Sequence, residues 1–259
     1  MTQQERLSYL IRYLLGENPR YYNLEIPDSE SEQKRLLRSL MNVRPPQNIS
    51  QEFLHIQDDY LTEENHKKQM TSLTDLTPLT KGIYLWQGDI TTLKVDAIVN
   101  AANDALLGCF VPCHGCIDNA IHSAAGIQLR LACHKLMSTQ DQPEPTGKAK
   151  ITPAFNLPCH YVLHTVGPII QGKPSQNDCA LLASCYNSCL ELAASYQLKG
   201  IAFCCISTGE FHFPNDLAAQ IAVETVQNYQ KRNSPQMEVV FNVFKETDYR
   251  IYKKLLTFD

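Results

Sequence analysis

Gly88-Asp89-Ile90-Thr91-Thr92-Leu93-Lys94-Val95-Asp96-Ala97-Ile98-Val99-Asn100-Ala101-Ala102-Asn103 decides the fold of this chain, together with Leu107-Gly108-Cys109-Phe110-Val111-Pro112-Cys113-His114-Gly115-Cys116-Ile117-Asp118-Asn119-Ala120-Ile121-His122 and the closing Ala125-Gly126. Residues 95–99 are short and mostly apolar, as in a buried parallel strand. Two asparagines and a Gly/Cys/Pro/His loop follow directly, and residues 117–122 read as the first turns of a helix. Strand, polar loop, helix start is where open α/β sheets hold phosphorylated ligands, because free N–H groups and the helix dipole attract anions there.

Outward from this stretch, strands and helices alternate. Strands are expected at 83–87, 95–99, 160–166, 200–206 and 239–244, and helices at 179–196, 215–231 and 248–256. Asn215 is the expected cap of its helix, with Asp216 in the first turn. Residues 139–148, rich in Gln, Pro and Asp, read as a surface loop. The alternation predicts an α/β/α layered domain.

Upstream, Leu7, Leu10, Ile11, Leu14 and Leu15 recur at helical spacing until Gly16-Glu17-Asn18-Pro19 ends the run. Leu36, Leu37, Leu40 and Met41 repeat the pattern over 29–41; Ser29 with Glu32 forms a capping-box pattern, and Ser31 is the other candidate cap. After Pro45-Pro46, residues 50–64 predict a third helix, capped by Ser50, with Phe53, Leu54, Tyr60 and Leu61 as its apolar side. No catalytic constellation falls in 1–75. The division expected is a helical extension over 1–75 and the α/β domain over 76–259. The extension reads as a cover on that domain, since amphipathic helices bury their stripe on a core; a docking surface or lid is the alternative.

The 259 residues are 44% hydrophobic, enough for a sizeable core, and the net charge of −4 leaves no basic footprint for nucleic acid. An anionic ligand must then be held by local N–H groups. No apolar run reaches membrane-spanning length. The opening Met1-Thr2-Gln3-Gln4-Glu5-Arg6 leads into an amphipathic stretch and not a secretion signal, so the ten cysteines are expected to be reduced, in a cytoplasm. Cys179, Cys185, Cys189, Cys204 and Cys205 read as small buried residues.

Cys109, His114 and Cys116 form C-x4-H-x-C, and thiolates with an imidazole suit zinc. Three ligands leave a fourth position open, as in catalytic sites; Cys113 is a possible fourth ligand, but it would crowd the tetrahedron. A loop carrying cysteines without metal is the other reading. Residues 207–214 form a second loop after a strand, also able to aim N–H groups at a phosphate.

Gly88-Asp89-Ile90, the run 99–103, and Ile117-Asp118 with Ala120-Ile121-His122 resemble the macrodomain family of ADP-ribose-binding modules. The stretch 109–118, Cys-Phe-Val-Pro-Cys-His-Gly-Cys-Ile-Asp, resembles more narrowly the zinc-dependent macrodomains of bacteria and fungi. The likeness covers roughly 80–259 and implies a three-layer α/β/α macrodomain with a mixed central sheet. It implies zinc on Cys109, His114 and Cys116. Asn103 is matched to the asparagine that bonds the terminal ribose, and Asp118 to an aspartate associated with catalysis or water orientation; Asn100 reads as bracing its own backbone. Asp89 is matched to the acceptor of the adenine amino group, with Ile90 beside it. Ser207, Thr208, Gly209, Glu210 and Phe211 are matched to the diphosphate loop, and Phe244 to the aromatic that packs on adenine. Taken alone, Asp89 is a turn residue and Phe244 a core residue. Phe211-His212 departs from the Tyr/Phe-Gly of many macrodomains and agrees with the zinc group.

The resemblance implies a hydrolase that removes mono-ADP-ribose from modified proteins. The expected substrate is a lipoyl-carrier protein modified by a sirtuin-type transferase, with no nucleic-acid or membrane partner. A non-catalytic ADP-ribose reader and an O-acetyl-ADP-ribose deacetylase are the alternatives in the same cleft; an unrelated structural zinc protein would need a fourth ligand.

Overall fold

The computed structural model describes residues 1–233 and 237–257. Three helices come first: α1 (Gln3–Gly16), α2 (Glu30–Val43) and α3 (Gln51–His66). Each starts at a side-chain cap: Thr2 closes a capping box with Glu5, Ser29 accepts from Glu32 N, and Ser50 from Phe53 N. Ser29 is thus the cap of α2, and its hydroxyl donates to Glu32 Oε2 at 2.6 Å, so the carboxylate meets the Ser29 side chain and not its main-chain N–H as a capping box would require. The expected stripes are buried, and Leu7, Leu10, Leu37, Leu40, Phe53 and Tyr60 make a small core that closes on Ile127, further along the chain.

The chain continues through β1 (Thr71–Ser72), β2 (Ile83–Gln87), β3 (Leu93–Lys94), β4 (Ala97–Ala101), α4 (Ile117–Ala125), α5 (Ile127–Met137), β5 (Ala149–Pro153), β6 (Tyr161–Thr165), α6 (Gln176–Ser195), β7 (Gly200–Phe203), α7 (Asn215–Arg232), β8 (Glu238–Val243) and α8 (Glu246–Thr257). β1 pairs with β3 in a two-stranded ribbon. The main sheet runs β2-β8-β7-β4-β6-β5, parallel except where β5 meets β6. Helices α6, α7 and α8 pack in a row, while α4 and α5 pack on each other and on β4 and β5, giving the three layers. The central strands are largely apolar because both faces are covered, with Asn100 of β4 and His164 of β6 as buried polar exceptions.

Three local expectations need correction, the first being that β7 stops at Phe203 and leaves 204–206 outside the strand. Asn215 does not cap α7: Pro214 holds the cap position, and Asn215, one residue inside, sends its amide to Asp248 Oδ1 of α8 at 2.5 Å. Strand β4 also runs later than 95–99, because Val95 and Asp96 lead in from the ribbon and pairing with β6 carries on to Ala101. β5 and α5 go beyond the expected elements. β5 is an edge strand, half-buried over most of its length, with Lys150 and Pro153 in it, and so shows no apolar run. Among the described residues no helix is long and apolar enough to cross a membrane.

Candidate functional site: a cysteine–histidine loop beside a buried carboxylate

β4 is central and ends at Ala101; α4 starts at Ile117. The loop between them therefore opens at the carboxyl edge of the parallel strands, where such sheets bind ligands. On it, the sulfurs of Cys109 and Cys116 and a ring nitrogen of His114 all lie within 4.8 Å of one another. Cys116 is also the N-cap of α4, its sulfur accepting from Asn119 N at 3.4 Å. Burial pushes the Cys116 thiol up to about 12, against the pull of that N–H; a coordinated divalent cation deprotonates a thiol outright. His114 Nδ1 is buried with no hydrogen-bond partner, while Nε2 faces Glu210 at 3.7 Å. An unpaired imidazole nitrogen next to two thiols fits zinc in donor type and spacing. Cys113 points elsewhere: its sulfur lies 3.4 Å from Arg35 O and 3.2 Å from Ser39 Oγ, both on α2.

The loop enters through Gly108, at φ +79°, where a Cβ would come within 2.8 Å of the His122 ring. Only glycine accepts both that angle and that approach.

Asp118, in the first turn of α4, is buried. Burial pushes its carboxyl up to about 6; a hydrogen bond from Asn100 and the charge of Arg130 pull it back down. Asn100 Nδ2 donates to Asp118 Oδ1 at 2.8 Å and meets His164 Nδ1 at 3.2 Å. This corrects the expectation for Asn100: it braces a carboxylate and not its own backbone. The reason is register, since β4 sets Asn100 directly beside His164 of β6. With His164 Nδ1 accepting from the amide, the proton of its neutral ring sits on Nε2 and is donated to Thr152 Oγ1 at 2.9 Å. Burial holds His164 down at about 3, so it stays neutral. His122, Cys133 and His164 form a second buried group of possible ligands. Both nitrogens of His164 are already engaged, so that group is a frame under Asp118 and not a ligand set. Asn103 Nδ2 reaches Gly108 O at 3.1 Å and Asp118 Oδ2 at 3.4 Å, which joins the ligand loop to the carboxylate.

The second loop, 207–214, leaves β7 and faces the first across the His114–Glu210 contact. Ser207, at φ +64°, is buried with its hydroxyl unpaired. That hydroxyl fills the space over Gly167, where a Cβ would lie 1.9 Å from it. Thr208 closes a turn onto Cys205 O, and Phe211 O accepts from Ile170 N at 2.8 Å. Gly209 and Glu210 are exposed, with nothing near the Cβ position of Gly209. His212 takes φ +57°, the left-handed conformation that glycine supplies most readily.

At the far end, Asp89 uses Oδ1 to accept from Thr91 N and Oγ1 at 3.0 and 2.7 Å, capping a short 3-10 turn. Its Oδ2 lies 3.6 Å from Lys68 Nζ. The Ile90 side chain is core, so only its main chain is available to a ligand. Phe244 follows β8 and is 77% exposed, an aromatic face with no core role. The motif reading included His122 without giving it a role, and did not reach Lys68, Thr152, Arg130 or His164. The one local signal was a histidine inside the otherwise apolar run of β6.

This fold has counterparts among known proteins. Residues 99–222 match the Macro domain family. The chain belongs to the macrodomain family. Within it, the chain is 60% identical over 261 residues to the "Protein-ADP-ribose hydrolase" of Treponema medium, covering 99% of this chain and 100% of that one. It is 49% identical to the protein of the same name from Staphylococcus aureus, covering 100% of this chain and 97% of that one. The Trypanosoma brucei macrodomain solved in complex with ADP-ribose superimposes with a TM-score of 0.66 at 28% identity, covering 89% of this chain and 97% of that one.

Proposed function

We propose that this protein is a hydrolase that releases ADP-ribose from mono-ADP-ribosylated proteins, with zinc held by Cys109, His114 and Cys116. The observation that carries this reading is the convergence of three metal-type donor atoms on a loop whose next turn holds the buried carboxylate of Asp118. End-to-end likeness to two chains named for that activity supports it. The division into a helical extension over 1–75 and a macrodomain over 76–259 belongs to the same reading.

In this reading the diphosphate lies between the two loops, on N–H groups of 207–211. Adenine rests on Phe244, with Asp89 Oδ2 accepting from its amino group and the Ile90 main chain beside it. Asn103 turns its amide to the distal ribose. Water adds at C1″ as the bond to the protein side chain breaks, and the water's proton ends on the departing side chain. Asp118, held by Asn100 and Asn103, orients that water. Bound zinc would supply Lewis acidity to an oxygen at this point. The substrate protein, by likeness to the zinc group, is a lipoyl carrier modified by a sirtuin-type transferase in the cytoplasm.

The test is release of ADP-ribose from a mono-ADP-ribosylated carrier protein, with and without a zinc chelator, with metal quantified in the same sample. Release lost together with zinc, while ADP-ribose still binds, is the expected result. Full release after complete zinc removal refutes the metal's catalytic role, and no release in either state refutes the hydrolase.

A further inference from the structure

The metal loop has little internal structure to hold it. Its own main-chain bonding between Cys109 and Cys116 amounts to His114 N on Val111 O at 3.2 Å, and Asn119 Nδ2 secures the same carbonyl at 2.9 Å. The remaining supports come from far away in sequence. Arg38 Nη2 donates to His114 O at 3.0 Å and to Asn119 Oδ1 at 2.7 Å, with Nε on the same Asn119 oxygen at 3.2 Å. Asn42 Oδ1 accepts from Cys113 N at 2.9 Å, and Asn42 Nδ2 reaches Ser123 Oγ of α4 at 3.0 Å. Arg35 O and Ser39 Oγ meet the Cys113 sulfur. Arg130 grips the start of the loop at Leu107 O and the end of α2 at the carbonyls of Met41, Asn42 and Arg44.

Residues 35, 38, 39 and 42 are spaced i, i+3, i+4, i+7, one face of α2. That face meets the loop, while Leu37, Leu40 and Met41 enter the core of the extension. Cys113 sits at φ +50°, an uncommon angle for a non-glycine residue, and persists only where its surroundings hold it. Asn42 holds its N–H, and Arg38 holds the carbonyl of the next residue, His114, one of the three donors. Asn42 is almost fully buried, so its amide is not a solvated surface group that happens to lie near.

We infer that Arg38 and Asn42 of the N-terminal helix α2 are positioning residues of the metal loop, so that metal affinity is set from the extension. The inference rests on the zinc reading proposed above. Metal ligands are held to geometry by the groups bonded behind them, and loss of such a group costs about 10- to 100-fold in metal affinity. Here the groups behind His114 lie on another part of the chain, which gives the extension a role beyond covering apolar surface.

The experiment uses the full chain, stripped of metal and titrated with zinc against a chromophoric chelator. Wild type, Arg38→Ala, Arg38→Lys and Asn42→Ala are compared, and thermal unfolding of each metal-free chain is recorded alongside. Arg38→Ala and Asn42→Ala are expected to weaken zinc binding about 10- to 100-fold, and Arg38→Lys, which keeps one donor and the charge, less than Arg38→Ala. Arg38 is half-buried and its loss removes no core side chain, so Arg38→Ala is expected to fold, with metal-free unfolding lowered only by the lost hydrogen bonds to Asn119 and His114; it therefore keeps the test decisive should Asn42→Ala fail to fold. A merely structural role moves metal-free unfolding and not zinc affinity. Wild type that binds zinc stoichiometrically beside an Arg38→Ala chain within twofold of it overturns this inference alone. Wild type that takes up no zinc overturns the zinc reading with it.

Discussion

Removing the Asn100 side chain tests whether the frame under Asp118 matters. Asn100 is fully buried and donates to Asp118 Oδ1 at 2.8 Å, while its amide also meets His164 Nδ1 at 3.2 Å. In Asn100→Ala, a buried carboxylate loses its shortest donor and a buried imidazole nitrogen loses its partner. A hydrogen bond to a charged group contributes about 1.5–3 kcal/mol. With the cavity left by the amide added, the loss is about 3 kcal/mol. For a chain of this size that lowers Tm by about 6–12 °C, within the stability a folded domain can lose. The freed carboxylate turns away from the ligand loop, and a displacement of about 1 Å costs on the order of 100-fold in turnover. Asn100→Asp is the matched control for shape. It sets a second carboxylate where the amide stood, and two carboxylates that close cannot both ionise, so it is expected to be at least as damaging as alanine despite its size. Scanning calorimetry of the metal-free protein and a kcat for ADP-ribose release read the two effects separately. An Asn100→Ala protein that melts within 2 °C of wild type and turns over within twofold of it would refute the claim that this side chain supports Asp118.

Cys116→Ala removes a donor and the cap of α4 together; it is expected to abolish both zinc stoichiometry and ADP-ribose release while ADP-ribose still binds, and full release by this variant defeats the metal assignment. Phe244→Ala is expected to leave Tm unchanged, since the ring is 77% exposed, and to weaken ADP-ribose binding about tenfold or more, the loss of one base–aromatic stack, by calorimetric titration; unchanged affinity removes Phe244 from the adenine site. Burial raises the carboxyl of Glu64, but hydrogen bonds from Lys34, Lys67 and Gln3 outweigh it and hold the group down at about 2. Because the folded value is depressed, the resulting stability is present above the ordinary 4.5 and is lost as pH falls from there towards 2. Glu64 joins α1, α2 and α3, so acid should loosen the extension over that window by about 1 kcal/mol once solvent screening is allowed for, read by circular dichroism. Glu64→Gln should flatten this part of the pH profile, and an identical profile in the variant would count against the link.

Much of this protein was legible in local spacing. The stripe Leu7, Leu10, Ile11, Leu14, Leu15 foretold a buried helix face, and Ser29 and Ser50 foretold its neighbours' starts, because a helix places i, i+3 and i+4 together by its own geometry. The strand–loop–helix reading of 88–126 set the fold, and C-x4-H-x-C named donors that do converge, because all three lie within eight residues. Other features were settled only by tertiary structure. Asn100 reads as bracing its own backbone until β4 and β6 come into register and bring His164 beside it. Phe244 taken alone reads as core, and the structure leaves its ring 77% exposed after β8. Residues 35, 38, 39 and 42 are an ordinary polar helix face until α2 docks on α4 and turns that face to the metal loop. A sequence fixes contacts between residues a few positions apart through backbone geometry. Contacts across 18, 64 or 81 positions, such as Asn100 with Asp118 and His164 or Arg38 with Asn119, depend on how whole elements pack.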